Sequence, residues 1–358
     1  MPNSAGLSAT VARVLDERYG LAPAQLSPVR GGQHTVNLRA DSGKRAMFVK
    51  TYEDSADLAT ERRAIALSEF AGENGVPVSP VIDNREGDPI DTSSPVAMSV
   101  WEWMPGSAAQ ELNPSIAEQA GRALGHLHRA TADLTESRRP AGPVQDAWRG
   151  IDTDGISATI DHLLGIIEER VHAGQAGPFD TLAARTLTER RAMLPALPSL
   201  AAELPGDLTV QVLHGDYAPR NLLFDDEGRL TAVLDFSPPT PGLLAYDIGR
   251  AALFATTLAR GDWLDCANAL LTAYLDVNPT VTASDLQACY HVPVIQLLRS
   301  LYGIKQHYLS PGIDQADLDD FWHMRHRAAQ TLLEHRGSIE DMLTKLAHHL
   351  PPTRPSRC

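Results

Sequence analysis

The stretch His214-Gly215-Asp216-Tyr217-Ala218-Pro219-Arg220-Asn221, followed by Leu234-Asp235-Phe236, holds three oxygen-bearing side chains at close spacing. Asp216 is an acid that can accept a hydrogen bond from a hydroxyl and align that hydroxyl on a phosphorus atom. Asn221 and Asp235 offer the hard oxygens that Mg²⁺ prefers, and Mg²⁺ needs only a few protein ligands because it keeps several waters. Together the three residues form a kit for phosphoryl transfer. Each alone has a plainer explanation: a β-turn with a capping acid at His-Gly-Asp, a turn residue at Asn221, a strand-end acid at Asp235. Asp235 directly follows Ala232-Val233-Leu234, so it is expected to be partly buried, where a lone carboxylate is costly without a partner or a metal.

A second group of residues lies in the first hundred. Lys50 ends the apolar run Ala46-Met47-Phe48-Val49, and only four lysines occur in the chain, arginine being the usual cation. Such a lysine can aim at the α- and β-phosphates of a nucleotide, with Glu61 on the following helix as its partner; Asp57 and Glu69 are alternatives there. The plainer reading of Lys50 is an edge lysine snorkelling to water. Gly31-Gly32 is a weaker signal for a phosphate-covering turn, since backbone amides at a glycine turn can approach phosphate oxygens. Trp101-Glu102-Trp103-Met104-Pro105-Gly106 reads as a hinge, with Trp101 and Trp103 against a nucleotide base or packed between lobes. His214 is expected to orient the catalytic loop by bonding to backbone or to Asp247. Asp247 itself suits the first turn of a helix. His126 and His128 read as surface or interface residues.

The elements that must position these residues change character along the chain. Hydrophobic periodicity predicts a helix over 8–19, strands over 25–30, 34–40, 46–52, 76–83 and 96–103, and a helix over 55–73. After residue 104 helices dominate: 114–134, 156–173, 179–194, 243–260, 262–277, 283–308 and 315–349. Short strands over 209–213, 222–224 and 230–235 interrupt them and carry the catalytic motif. The expected organisation is α+β with two lobes: residues 1–104 as a small nucleotide-binding β-lobe with one main helix, and residues 105–358 as a large helical catalytic and acceptor-binding lobe. The nucleotide is expected in the cleft between them. The tail from Pro351 to Cys358, rich in Pro and Arg, reads as a frayed end.

Composition narrows the classes. The chain has 358 residues, is 43% hydrophobic and 21% charged, and has a net charge of −14, which suits a folded globular protein and opposes a general nucleic-acid binder. Three widely spaced cysteines without a CxxC pair indicate neither a disulfide framework nor a zinc site. No basic-then-apolar leader and no long apolar run is present, so the cytoplasm and no membrane association are the expectation. Oligomeric state cannot be read from the sequence.

The combined pattern resembles the aminoglycoside phosphotransferase and choline-kinase-like family of small-molecule kinases, which have a protein-kinase-like fold. The carrying motifs are His214 to Asn221, in which the Asn stands five residues after the Asp as in kinase catalytic loops, then Leu234-Asp235-Phe236 and Tyr246-Asp247-Ile248. The hinge from Glu102 to Gly106 and the segment from Gly121 to His128 also match. The resemblance implies ATP- or GTP-dependent, Mg²⁺-dependent phosphorylation of a small-molecule hydroxyl. It implies Asp216 as the catalytic residue, Asn221 and Asp235 as metal ligands, and Lys50 with Glu61 as the phosphate-lysine pair. Ser237-Pro238-Pro239 replaces the glycine that follows Asp-Phe in protein kinases, and no Ala-Pro-Glu element follows, which disfavours a regulated protein kinase. The acceptor is open. An antibiotic, making this a resistance enzyme, is the leading expectation; a metabolite such as an amino alcohol, homoserine or a sugar is the alternative. A non-catalytic nucleotide-binding module is the competing class. Tyr217, Arg220, Trp263, His307, Tyr308 and Trp322 are acceptor-site candidates by residue type only.

Overall fold

A computed structural model of the chain describes residues 4–22, 25–29, 35–43, 45–109, 112–138, 140–253, 261–310 and 315–350. Gly31 and Gly32 lie outside the described residues, as do the end of the helix expected over 243–260 and the tail after Leu350. The chain divides into two compact units, residues 1–109 with 220–239, and residues 110–219 with 240–358. The division is not a single cut in chain order, because 220–239 returns to the first unit.

The first unit is an antiparallel five-stranded sheet with a helix on each face. Helix α1 (Ser4–Val14) continues into one wide turn, Leu15–Tyr19. Strands β1 (Gln25–Val29), β2 (Thr35–Ser42), β3 (Arg45–Tyr52), β4 (Val81–Ile82) and β5 (Met98–Glu102) form the sheet in the order β1-β2-β3-β5-β4. Successive strand residues face opposite sides. Leu38 and Ala40, Met47 and Val49, and Met98 and Val100 therefore share one face, where they bury against Leu7, Val11, Val14 and Leu15 of the N-terminal helix. The other face carries Tyr52, which packs with Ile65 of α2 (Leu58–Glu73). Lys50 is two residues from Tyr52 and so points to the α2 side.

Helix α2 starts at Asp57, whose carboxylate accepts from the Ala59 and Thr60 amides, and not near Ser55 as the sequence suggests. The strand expected over 76–83 shrinks to Val81–Ile82. Pro77 and Pro80 lack the amide hydrogens that a ladder needs. Strand β6 (Ser107–Ala108) belongs to the same unit. It follows Gly106, whose φ of +105° and position against the Phe224 carbonyl, 2.2 Å from where a Cβ would lie, require glycine.

Four short strands carry the motif segment: β7 (Val210–Val212), β8 (Leu222–Phe224), β9 (Leu230–Val233) and β10 (Pro241–Leu243). β6, β8 and β9 form a three-stranded sheet in the first unit, while β7 pairs with β10 in the second.

The second unit is otherwise helical. Its helices are α3 (Pro114–Thr131), α4 (Gly142–Arg149), α5 (Thr153–His172), α6 (Pro178–Met193), α7 (Leu197–Ala202), α8 (Leu244–Leu253), α9 (Trp263–Val277), α10 (Ala283–Arg299), α11 (Ile304–Leu309), α12 (Gln315–Glu334) and α13 (Arg336–Ala347). The helix expected over 283–308 is broken between Arg299 and Ile304, where Gly303 takes φ +93°. The one expected over 315–349 is broken at His335. No helix among the described residues is long and apolar enough to cross a membrane.

Helices α3 and α9 touch at Gly121, where a Cβ would stand 2.1 Å from the Leu270 carbonyl oxygen. Backbone cannot yield as a flexible side chain can. Gly121→Ala is therefore expected to destabilise the protein by about 2 kcal/mol through overpacking. Gly165→Ala in α5, where a Cβ meets nothing within 4 Å, is expected to stabilise it by about 0.5–1 kcal/mol. Urea denaturation of both variants gives the two signs.

Candidate active site

The loop after β7 is held by one buried carboxylate. Asp247, in the first turn of α8, is fully buried. Its Oδ2 accepts from the His214 amide at 2.7 Å, and its Oδ1 from the Gly215 amide at 3.2 Å. His128 of α3 adds its Nε2, 3.2 Å from Oδ2. The other His128 nitrogen, Nδ1, is 3.0 Å from the Tyr274 hydroxyl, which also accepts from Asn278 Nδ2 at 2.9 Å. Asn278, Tyr274, His128 and Asp247 are thus joined in one buried chain of hydrogen bonds. Burial alone would raise the Asp247 carboxyl, but the His128 hydrogen bond, the nearby histidines and the His214 amide hold it below the usual range.

His128 was expected at a surface or an interface. It is fully buried, and the sequence signal that could have found it is its place at the end of an α3 face rich in Ala, Gly and Leu. His214 is also fully buried and takes the orienting role expected of it, by two routes. Its amide donates to Asp247, and its Nδ1 accepts from the Asp216 amide at 3.2 Å. Gly215 turns between them at φ +86°.

Asp216 is half-buried, and the Arg250 guanidinium donates to its Oδ1. Arg250 is itself largely buried and donates to the Tyr246 hydroxyl at 3.1 Å. Arg250 was not anticipated. Its spacing of three residues after Asp247 places both on one side of α8, so a single helix pins the loop backbone and orients the carboxylate.

The first unit holds the remaining residues. Lys50 Nζ lies 3.0 Å from Glu61 Oε2, a half-exposed pair, and 5.3 Å from the centre of the Tyr52 ring. Asp57, the alternative partner, caps α2. Asn221 is buried, and its carbonyl accepts from the Leu234 amide at 2.8 Å. Leu222 pairs with Val233 across β8 and β9, so Asn221 and Asp235 stand at the same end of neighbouring strands.

Asp235 corrects an expectation: it is exposed, not partly buried. Its backbone has φ +60°, and it is the one described residue other than glycine with positive φ. Its carboxylate has no hydrogen bond or ion pair among the described residues. Strain of this kind tends to persist where function requires it.

Trp101 donates through Nε1 to Ser99 Oγ at 2.9 Å and packs with the Tyr52 cluster. Trp103 lies under the Arg39 guanidinium, 4.6 Å away. The Glu102 and Trp103 amides donate to the Pro80 and Ala46 carbonyls. Of the acceptor-site candidates, Tyr217 is buried and donates to the Ala120 carbonyl, and Trp322 is buried in the core. His307 pairs with Asp319, and Tyr308 donates to Asp180. Trp263 is largely buried, and Arg220 is exposed.

Asp247→Asn replaces an acceptor of three donors with a neutral amide. The expected cost is about 3 kcal/mol, as for breaking a buried charged network. The folded pKa of Asp247 lies below its unfolded value, so its contribution is complete above about pH 4 and is lost as pH falls through the folded pKa. The variant should therefore lose stability at neutral pH and show a shallower decline below about pH 4. Urea denaturation at a series of pH values measures both.

Comparison with known proteins bears on this site. The chain is 28% identical over 258 residues to a homoserine kinase of Azorhizobium caulinodans, covering 72% of each. It is 26% identical over 249 residues to a homoserine kinase of Parvibaculum lavamentivorans, covering 68% of this chain and 67% of that one. Among solved structures, a spectinomycin phosphotransferase in complex with ADP and spectinomycin superposes with a TM-score of 0.62 at 13% identity, covering 91% of this chain and 98% of that one. An aminoglycoside phosphotransferase from Alicyclobacillus acidocaldarius gives 0.61 at 19% identity, covering 90% and 94%. The fold is α+β and protein-kinase-like. The family model described as the phosphotransferase enzyme family matches residues 25–285, most of the chain and all the motifs above, and this chain belongs to that family as a small-molecule kinase.

Proposed function

We propose that this protein transfers the γ-phosphoryl group of ATP to the hydroxyl of homoserine, with Asp216 as the catalytic residue. The observation that carries the reading is the fixed catalytic loop: Asp247 holds its backbone and Arg250 holds the Asp216 carboxylate. The acceptor is supported by the curated relatives, which are named homoserine kinases. An antibiotic acceptor has weaker support, resting on structural neighbours below 20% identity. Neighbouring structures bound to ADP or AMP-PNP support an adenine nucleotide as donor.

Asp216 accepts a hydrogen bond from the acceptor hydroxyl and fixes its oxygen in line with the γ-phosphorus. The new O–P bond forms as the bond to the β-phosphate oxygen breaks. ADP leaves, and the hydroxyl proton passes to Asp216 and then to water. The Lys50 ammonium, oriented by Glu61, neutralises phosphate charge.

Asn221 and Asp235 suit Mg²⁺. Both are oxygen donors at one end of β8 and β9, and Asp235, on strained backbone, has no hydrogen bond or ion pair among the described residues. No group of three His, Cys, Asp or Glu residues gathers among the described residues, and Mg²⁺ bound beside phosphates does not need one. The ion would stabilise charge on the phosphate oxygens.

Asp216→Asn is expected to fold normally and to lower kcat for L-homoserine at least ~100-fold, read by a coupled ADP-release assay beside a melting curve. Near wild-type turnover would remove Asp216 from the mechanism. Asp235→Ala should raise the Mg²⁺ concentration needed for half-maximal activity at least ~10-fold.

A further inference from the structure

The helical unit contains an open cavity of about 670 Å³. It is bounded by the start of α5, the end of α10 and the segment leading into α11, and Arg299 and Lys305 both line it. It shares Gln296 with a smaller recess lined by Tyr246 and Arg250, and Arg250 is the residue that holds Asp216. One line of side chains thus runs from the catalytic acid to the cavity.

Arg299 is built into its wall. Its guanidinium lies 4.1 Å from the ring centre of buried Trp148, and its Nε donates to Gln296 Oε1 at 2.9 Å. Trp148 in turn packs on Tyr246, with ring centres 5.8 Å apart. Burial pulls the Arg299 guanidinium below its ordinary range, with Tyr246 opposing. Among the described residues no carboxylate pairs with Arg299 or with Lys305. The acid on the cavity lining, Asp152, accepts from the Gly155 amide as the cap of α5.

A half-exposed guanidinium stacked on tryptophan, with donors left over and a second cation beside the same space, suits an anion. In a chain of net charge −14, a cavity lined by two cations and a single helix-capping carboxylate is unlike the surface at large. We infer that Arg299, helped by Lys305, binds a carboxylate of the acceptor and so selects amino-acid alcohols over uncharged sugars and cationic amino alcohols. This specificity role rests on the homoserine reading for the identity of the acceptor, but the anion site can be tested without it.

The experiment uses L-2-aminobutyrate, which is homoserine without its hydroxyl, and 3-amino-1-propanol, which lacks the carboxylate. Calorimetry with the wild-type full chain should show binding of aminobutyrate. Arg299→Gln should weaken that binding at least 10-fold, and Arg299→Lys by less. In turnover, Arg299→Gln should raise KM for L-homoserine at least 10-fold while kcat stays within about 3-fold. Any activity with 3-amino-1-propanol should be unaffected. Lys305→Gln, at an exposed position, gives a second variant whose folding is not at issue and should raise KM in the same direction. If homoserine is not phosphorylated but aminobutyrate binds in an Arg299-dependent way, the acceptor assignment fails and the anion site stands. Absent binding of aminobutyrate to the wild type, or equal binding and KM in Arg299→Gln, overturns the anion site.

Discussion

The helical unit depends on one buried carboxylate. Asp247 is fully enclosed, and a charge there is unfavourable unless donors surround it. The amides of His214 and Gly215 and the ring of His128 supply them. Those donors come from α3 and from the loop after β7, so satisfying Asp247 draws two distant segments onto the start of α8. The loop cannot shift without leaving that carboxylate unpaired, at a cost well above a surface hydrogen bond. Rigidity at Asp216 is therefore a consequence of burial elsewhere. His128 is fixed by the same logic, since the Tyr274 hydroxyl on α9, itself held by Asn278 just after it, meets its other ring nitrogen. The closeness of α3 to α9 at Gly121 makes this chain of donors possible.

In the sheet unit the constraint is strand parity. Once Met47 and Val49 face the N-terminal helix, Lys50 must face α2. The Asp57 cap fixes where α2 begins, and Glu61 falls one turn later, in reach of Lys50. The pair is half-exposed, so it contributes little to stability. Its value is orientation of the ammonium. Asn221 and Asp235 are set by a different device, the β8–β9 hairpin, whose register brings the residues before one strand and after the other to one end.

How far these features could be read from the sequence follows from their range. Lys50 and Glu61 were legible because period-two and helical patterns are local. Asp216, Asn221 and Asp235 stand out as candidates because the motif is contiguous, and Asp247 was visible as a helix-start acid. Its grip on the loop was not, because that rests on burial, and neither residue type nor spacing reports which acid is enclosed. His128 and Arg250 were missed for the same reason: each acquires its role from a partner in another element. The exposure of Asp235 was misjudged because an apolar strand before an acid suggests burial, whereas the chain turns outward at that residue with positive φ. The breaks in the long C-terminal helices were hidden by periodicity that continues across Gly303 and His335. The return of 220–239 to the sheet unit leaves no local trace, since strand pairing is a long-range event.

On the proposed reading, the arrangement of α8 and α10 joins chemistry to selectivity. Pro293 inside α10 has no amide to give the Cys289 carbonyl, and Gly249 of α8 sits against that carbonyl, with 2.4 Å to a would-be Cβ. The two helices are therefore in backbone contact one residue before Arg250. From this contact Arg250 reaches Asp216, while Gln296 and Arg299, further along α10, reach the cavity. Moving α10 to accommodate a different acceptor would shift the residues around Arg250 as well. A change of acceptor by substitution along the cavity is thus less disruptive than a change in helix packing, and charge at positions 299 and 305 is the simplest variable available for it.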